Sequence, residues 1–119
     1  MSKDPSVEAP AYRRARRYAR YRLDVRIQDS VFREGTTTEL WGRTSELGED
    51  GVGATLTGEL KPGEVVSMEF SVPVAPFLIK LRAIVRYCHG LHCGFEFLKV
   101  TEAQRQTLSR VCEVLATGG

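Results

Sequence analysis

Six short runs in which apolar and polar residues alternate, each closed by turn chemistry, are followed by one stretch of helical period, and this order constrains the fold more than any other feature. In the first run Leu23, Val25 and Ile27 share one face and Asp24 and Arg26 the other, the pattern of a half-buried strand. Comparable runs fall at residues 37–44, 53–57, 65–72, 77–87 and 91–98. In the fifth, Phe77, Ile79, Leu81, Ala83 and Val85 face a core while Lys80, Arg82 and Arg86 face water; in the sixth, Cys93, Phe95 and Phe97 share the inner face.

The turns between these runs predict their pairing. Lys61-Pro62-Gly63-Glu64 places proline and glycine where a type II turn wants them and predicts a hairpin. The short link through Gly90 predicts an antiparallel hairpin between the last two runs. After Val100 the period changes, with Leu108, Val111, Cys112 and Leu115 on one helical face and Thr101 and Gln104 spaced as a capping box. At 119 residues the chain fits one domain. The expectation is an all-β fold, a six-stranded antiparallel β-barrel with one C-terminal α-helix and a flexible Arg-rich N-terminal arm. Its expected parts are a mobile tail over 1–11, the arm over 12–22, the barrel over 23–100 and the helix over 101–116.

Charge is distributed unevenly. The chain carries a net +2, yet residues 1–26 carry +5 and the remainder −3. Six of the ten residues from Arg13 to Arg22 are arginine and none is lysine, with Tyr12, Tyr18 and Tyr21 in or beside them. Arginine offers a planar fork of donors to phosphate or to a guanine edge and a face for stacking, so the segment suits a flat, anionic ligand. A solvated basic arm is the alternative reading of the same residues.

Residues 42–53 hold four glycines together with Glu46, Glu49 and Asp50. As a bare connection such a loop needs no ligand. Facing an arginine cluster it forms a guanine clamp, its carboxylates accepting from N1 and N2 while arginine donates to O6 and N7.

Other chemistry finds little support. The segment Cys88-His89-Gly90-Leu91-His92-Cys93 contains zinc-ligand types, but neighbouring strand residues point to opposite faces and do not converge on one ion, so no metal is expected. No nucleophile elbow, His-Glu-x-x-His or phosphate-binding Gly-x-x-x-x-Gly-Lys occurs, and a binding module rather than an enzyme is expected. Three cysteines, an odd number, suit reduced thiols in the cytoplasm. No apolar run approaches the ~18 residues that span a bilayer, and no signal-type apolar segment follows the N-terminus.

Arg16-Arg17-Tyr18-Ala19-Arg20 before the first strand, the glycine loop, and Phe95-Glu96-Phe97-Leu98 leading into Thr101-Glu102-Ala103-Gln104-Arg105 together resemble the PilZ domain family, over about residues 13–115. The resemblance implies a six-stranded antiparallel barrel with a C-terminal helix, and cyclic di-GMP as ligand. Its Arg-x-x-x-Arg motif is filled by Arg16 and Arg20, with Arg13 and Arg17 in an overlapping register. Its Asp/Asn-x-Ser-x-x-Gly motif falls on Glu46, Gly48 and Gly51, of which only the last agrees. What it implies is a cyclic di-GMP receptor acting on a protein effector. The alternatives are a PilZ-like adaptor that binds no nucleotide and a small nucleic-acid-binding barrel.

Overall fold

The computed structural model describes residues 18–118. The expected tail, and Arg13, Arg16 and Arg17 of the arm, lie outside them. Seven strands and one helix follow in order: β1 (Tyr21–Arg22), β2 (Arg26–Arg33), β3 (Thr36–Leu47), β4 (Gly51–Leu56), β5 (Val65–Ser71), β6 (Leu78–His89), β7 (His92–Leu98) and α1 (Glu102–Ala116).

Six of the strands close an antiparallel barrel in the order β3-β2-β5-β6-β7-β4, with β3–β4 pairing sealing the ring. The two-residue β1 adds to β3, with Tyr21 opposite Leu47 and Arg22 opposite Glu46. Period-2 alternation fills the interior: Ile79, Leu81, Ala83 and Val85 from β6 and Cys93, Phe95 and Phe97 from β7 are buried. The capping box forms as the spacing predicts, Gln104 N–H donating to Thr101 Oγ1 at 3.1 Å and Thr101 N–H to Gln104 Oε1 at 3.0 Å. Leu108, Val111 and Cys112 then bury one helical face.

Four local expectations are corrected. The first barrel strand does not begin at Leu23. Thr44 Oγ1 donates to Leu23 O and accepts from Val25 N–H, so a side chain replaces ladder bonds there and regular pairing starts at Arg26. The strand then continues to Arg33 through a stretch whose period is broken by an inward-facing carboxylate, Asp29.

The Lys61–Glu64 turn makes no hairpin. β4 pairs with β3 and β7, and β5 with β2 and β6, so the turn carries the chain across one end of the barrel. Phe77 is not a core residue either: it lies before β6, at φ 72°, and is 60% exposed.

Finally, Cys88 and Cys93 are not free thiols. The β6–β7 register sets them directly opposite, Cα–Cα 4.1 Å, and they are joined as a disulfide; Cys112 is free and buried.

Asp29 is the anomaly of the core. It points inward between Ile27 and Val31, opposite Leu40 and Met68, fully buried, and neither carboxylate oxygen has a hydrogen-bond partner. Burial pushes its pKa up to about 7. The folded state therefore holds a proton that the unfolded chain, titrating near ~4, has released, and stability falls as pH rises between those values, then stays lowered. In thermal melts from pH 4 to pH 8 the wild-type Tm should lose ground against Asp29→Asn up to about pH 7, leaving the variant more stable at pH 8. Comparing the two proteins cancels groups of opposite slope such as Glu64, whose pKa the Arg33 hydrogen bond lowers.

Candidate functional site

Two local pairings bring the arm and the glycine loop together. On one edge of β3, the β1 pairing and a Leu23 N–H to Ser45 O bond of 3.2 Å fix the chain just after Arg20. On the other edge Glu46 lies opposite Gly53 and Leu47 opposite Val52, and residues 48–50 turn tightly, with Gly48 N–H donating to Gly51 O at 2.9 Å.

Arg20 lies over this turn. Its Nη1 is 3.5 Å from Glu46 Oε2 and its Nη2 3.4 Å from Asp50 Oδ1, and its side chain is only 7% exposed. The glycines make the seat. A Cβ at residue 48 would stand 2.7 Å from Arg20 Cδ and Nε, and one at residue 51 would run into the Phe95 carbonyl oxygen. The Ala19 carbonyl oxygen also stands 2.9 Å from the first position and Arg20 Nη2 3.0 Å from the second, so both glycines make room for the Arg20 segment and Gly51 also makes room for the sheet.

The ion contacts are long. Charge-assisted N–H···O bonds lie near 2.7–2.9 Å, and these two, at 3.5 and 3.4 Å, are at least half an ångström longer. Arg20 Nε and Asp50 Oδ1 are buried without a hydrogen-bond partner. The arrangement brings a guanidinium and two carboxylates to one place and leaves part of their hydrogen-bonding capacity unmatched.

An open cleft of about 510 Å³ adjoins the site, bordered by Arg20, Arg22, Arg43, Ser45, Glu46 and Thr55. Arg43 is engaged, its Nε donating to Asp24 Oδ1 at 2.6 Å. Arg22 is exposed and has no ion-pair partner among the described residues. Beneath, Cys112 sits against the same cluster: burial, then the charge of Glu49, pushes its thiol pKa up to about 11, which keeps it protonated and unreactive at neutral pH.

Of the residues singled out in the sequence, the fold thus gathers Arg20, Glu46, Gly48 and Gly51 into one site. The sequence marked Asp50 only as one loop acid among three. Its specific contact with Arg20 depends on how the turn is closed, which no spacing announces. Arg22 and Arg43 enter through strand register.

The Cys88–Cys93 segment holds other partners than a metal. Its cysteines are paired, His92 Nδ1 is 3.2 Å from Thr55 Oγ1, and the His89 ring is 5.6 Å from that of Tyr87.

Comparison with known proteins places this arrangement in a family. Among solved structures, the chain is similar to the PilZ domain of YcgR from Escherichia coli with c-di-GMP (TM-score 0.71, 20% identity, 87% of this chain and 93% of that one). It is also similar to the inhibitor of motility MotI/DgrA of Bacillus subtilis (TM-score 0.70, 18% identity, 87% of this chain), of which it spans 52%. A third is the PilZ domain of CeSA from a cellulose-synthesizing bacterium (TM-score 0.62, 14% identity, 81% and 97% coverage). A search of curated proteins found no match. The family model for the PilZ domain matches residues 13–113. With that match spanning most of its length, and the barrel and helix formed as described, the chain belongs to the PilZ domain family.

Proposed function

We propose that the protein is a cyclic di-GMP receptor that binds the nucleotide at Arg20 and the Glu46–Gly51 loop, with Arg13, Arg16 and Arg17 closing from the arm. The observation that carries this reading is the seat itself, an arginine held over two glycines between two carboxylates with hydrogen-bonding capacity left over. The guanidinium suits a phosphate oxygen or the O6 and N7 of guanine, and Glu46 and Asp50 suit its N1 and N2 donors. YcgR, similar in fold, is described with this nucleotide.

Two departures from the family motif take on a physical meaning. Glu46 carries one methylene more than aspartate and still reaches Arg20. Gly48 lacks the motif's hydroxyl, but the space a side chain would fill is taken by Arg20. Loss of a neutral hydrogen bond costs about 0.5–1.5 kcal/mol, less than the ~1.5–3 kcal/mol of a charge-assisted one, so the exchange does not by itself abolish affinity.

The acids around Arg20 count against the nucleic-acid reading, since a phosphate backbone tracking past Glu46, Glu49 and Asp50 would meet like charge where a nucleic-acid groove is basic. The reading makes the chain a binding module that hands its signal to a protein effector.

Calorimetric titration with cyclic di-GMP, with GMP as control, tests it. Wild type should bind in the micromolar range or tighter and Arg20→Ala at least about tenfold more weakly, since a charge-assisted contact is lost. Absence of heat in wild type, or equal affinity in the variant, overturns the reading.

The two glycines should separate. Gly51→Ala drives a Cβ into backbone and should cost about 1–3 kcal/mol of stability, read as a lowered Tm. Gly48→Ala presses on the Arg20 side chain and the Ala19 carbonyl oxygen, and should weaken nucleotide binding while lowering Tm less than Gly51→Ala, whose Cβ runs into the Phe95 backbone carbonyl.

A further inference from the structure

The β5–β6 connection and its surroundings form a surface that the nucleotide site does not use. From Pro73 to Leu78 six consecutive residues carry no polar side chain, and all but the half-buried Val74 are exposed. Phe77, where the loop rejoins β6, is 60% exposed, and Leu78 is 44% exposed. On one side Leu78 shares a hollow of about 190 Å³ with Trp41, itself 42% exposed. On the other side Pro76 and Leu78 border a second hollow against Ala103 and Thr107 of the helix. Large exposed apolar surface of this kind marks a contact with something else.

Two observations say what covers it. The first is charge. Arg26 lies over the Trp41 ring at 5.3 Å, Arg110 reaches the loop at Ala75, and Lys80 is exposed with no ion-pair partner among the described residues; Glu69 is the one acid bordering the Trp41 hollow. A cationic rim calls for an anionic partner and disfavours a second copy, which would bring its own cations to the same seam.

The second is the backbone. Pro73 and Pro76 have no N–H to satisfy, Phe77 N–H donates to Val74 O at 2.6 Å, Phe77 O accepts from Val72 N–H at 3.0 Å, and Ala75 O accepts from Arg110 Nη2 at 3.1 Å. Much of the loop's polar demand is met internally, which lowers the cost of leaving water for hydrocarbon, where an unmatched peptide group is expensive.

We infer that the Pro73–Leu78 loop, with Trp41 beside it and Arg26, Lys80 and Arg110 around it, docks the protein onto an anionic lipid surface. Phe77 and Leu78 enter the headgroup boundary, Trp41 settles at the interface, and the three cations meet lipid phosphates. The contact is peripheral and reversible, and it does not require the nucleotide.

Trp41 is the single tryptophan of the chain, which makes the test direct. The full-length protein is sedimented with vesicles of phosphatidylglycerol and phosphatidylethanolamine, and with pure phosphatidylcholine, at about 0.1 M salt. Trp41 emission is recorded with and without brominated lipid. Phe77→Asp is the key variant, because aspartate tolerates the positive φ found there and the side chain packs into no core. An unchanged Tm verifies that it folds.

The expected result is binding to the anionic vesicles alone, a blue shift and bromine quenching of Trp41, and at least a tenfold loss of binding in Phe77→Asp and in Lys80→Glu. No binding to anionic vesicles overturns the inference. Binding that survives Phe77→Asp without Trp41 quenching also overturns it, since it would be the work of the basic arm alone. A self-association abolished by Phe77→Asp, with no vesicle binding, would assign the face to a second copy instead.

Discussion

The end of β3 is shared by two neighbours, and the candidate site depends on that sharing. Glu46 and Leu47 pair with Gly53 and Val52 on one edge and with Arg22 and Tyr21 on the other. The first pairing closes the barrel and shapes the turn after Leu47; the second ties down the chain just behind Arg20. Because both are backbone ladders with side chains set by the pleat, Arg20 and the 48–51 turn are held in register with each other. Leu47, completely buried, locks the junction from within.

On that junction the charges are balanced incompletely. One guanidinium, almost wholly shielded from water, faces two carboxylates each about one-third exposed, across distances longer than good ionic hydrogen bonds. A buried ion pair offsets its desolvation only when its geometry is good and its remaining donors are matched, and here Arg20 Nε is not. On the proposed reading, the donors and acceptors of a guanine nucleotide with its phosphate would complete the set. Burial first, with Glu49 and Asp50 adding to it and Arg20 opposing, keeps the nearby Cys112 thiol protonated.

The strands were legible where side chains obey one rule, apolar in and polar out, as along β6 and β7. That rule fails at Asp29, an inward carboxylate that interrupts the pattern of β2, and at Thr44, whose hydroxyl takes over backbone bonds around Leu23 and Val25. The Pro62–Gly63 turn was legible as a turn but not as a connection, because local dihedral preference is blind to which strands lie beyond it. Cys88 and Cys93 read as free thiols by count, whereas their opposition across the hairpin follows from register.

What the sequence by itself determined was the alphabet of the fold and of the site: six strand-forming runs, a capped helix, arginines before the barrel and a glycine loop with acids in it. These follow from periodicity and from backbone and side-chain chemistry, which are local and are written in neighbouring residues. Only the tertiary structure decided that Arg20 rests on Gly48, that Asp50 answers it, that Phe77 is left outside the core, and that Leu78 comes beside Trp41 and Arg26. Those relations join residues from separate strands, and they are set by barrel closure and strand register, quantities that belong to the whole sheet and to no segment of it.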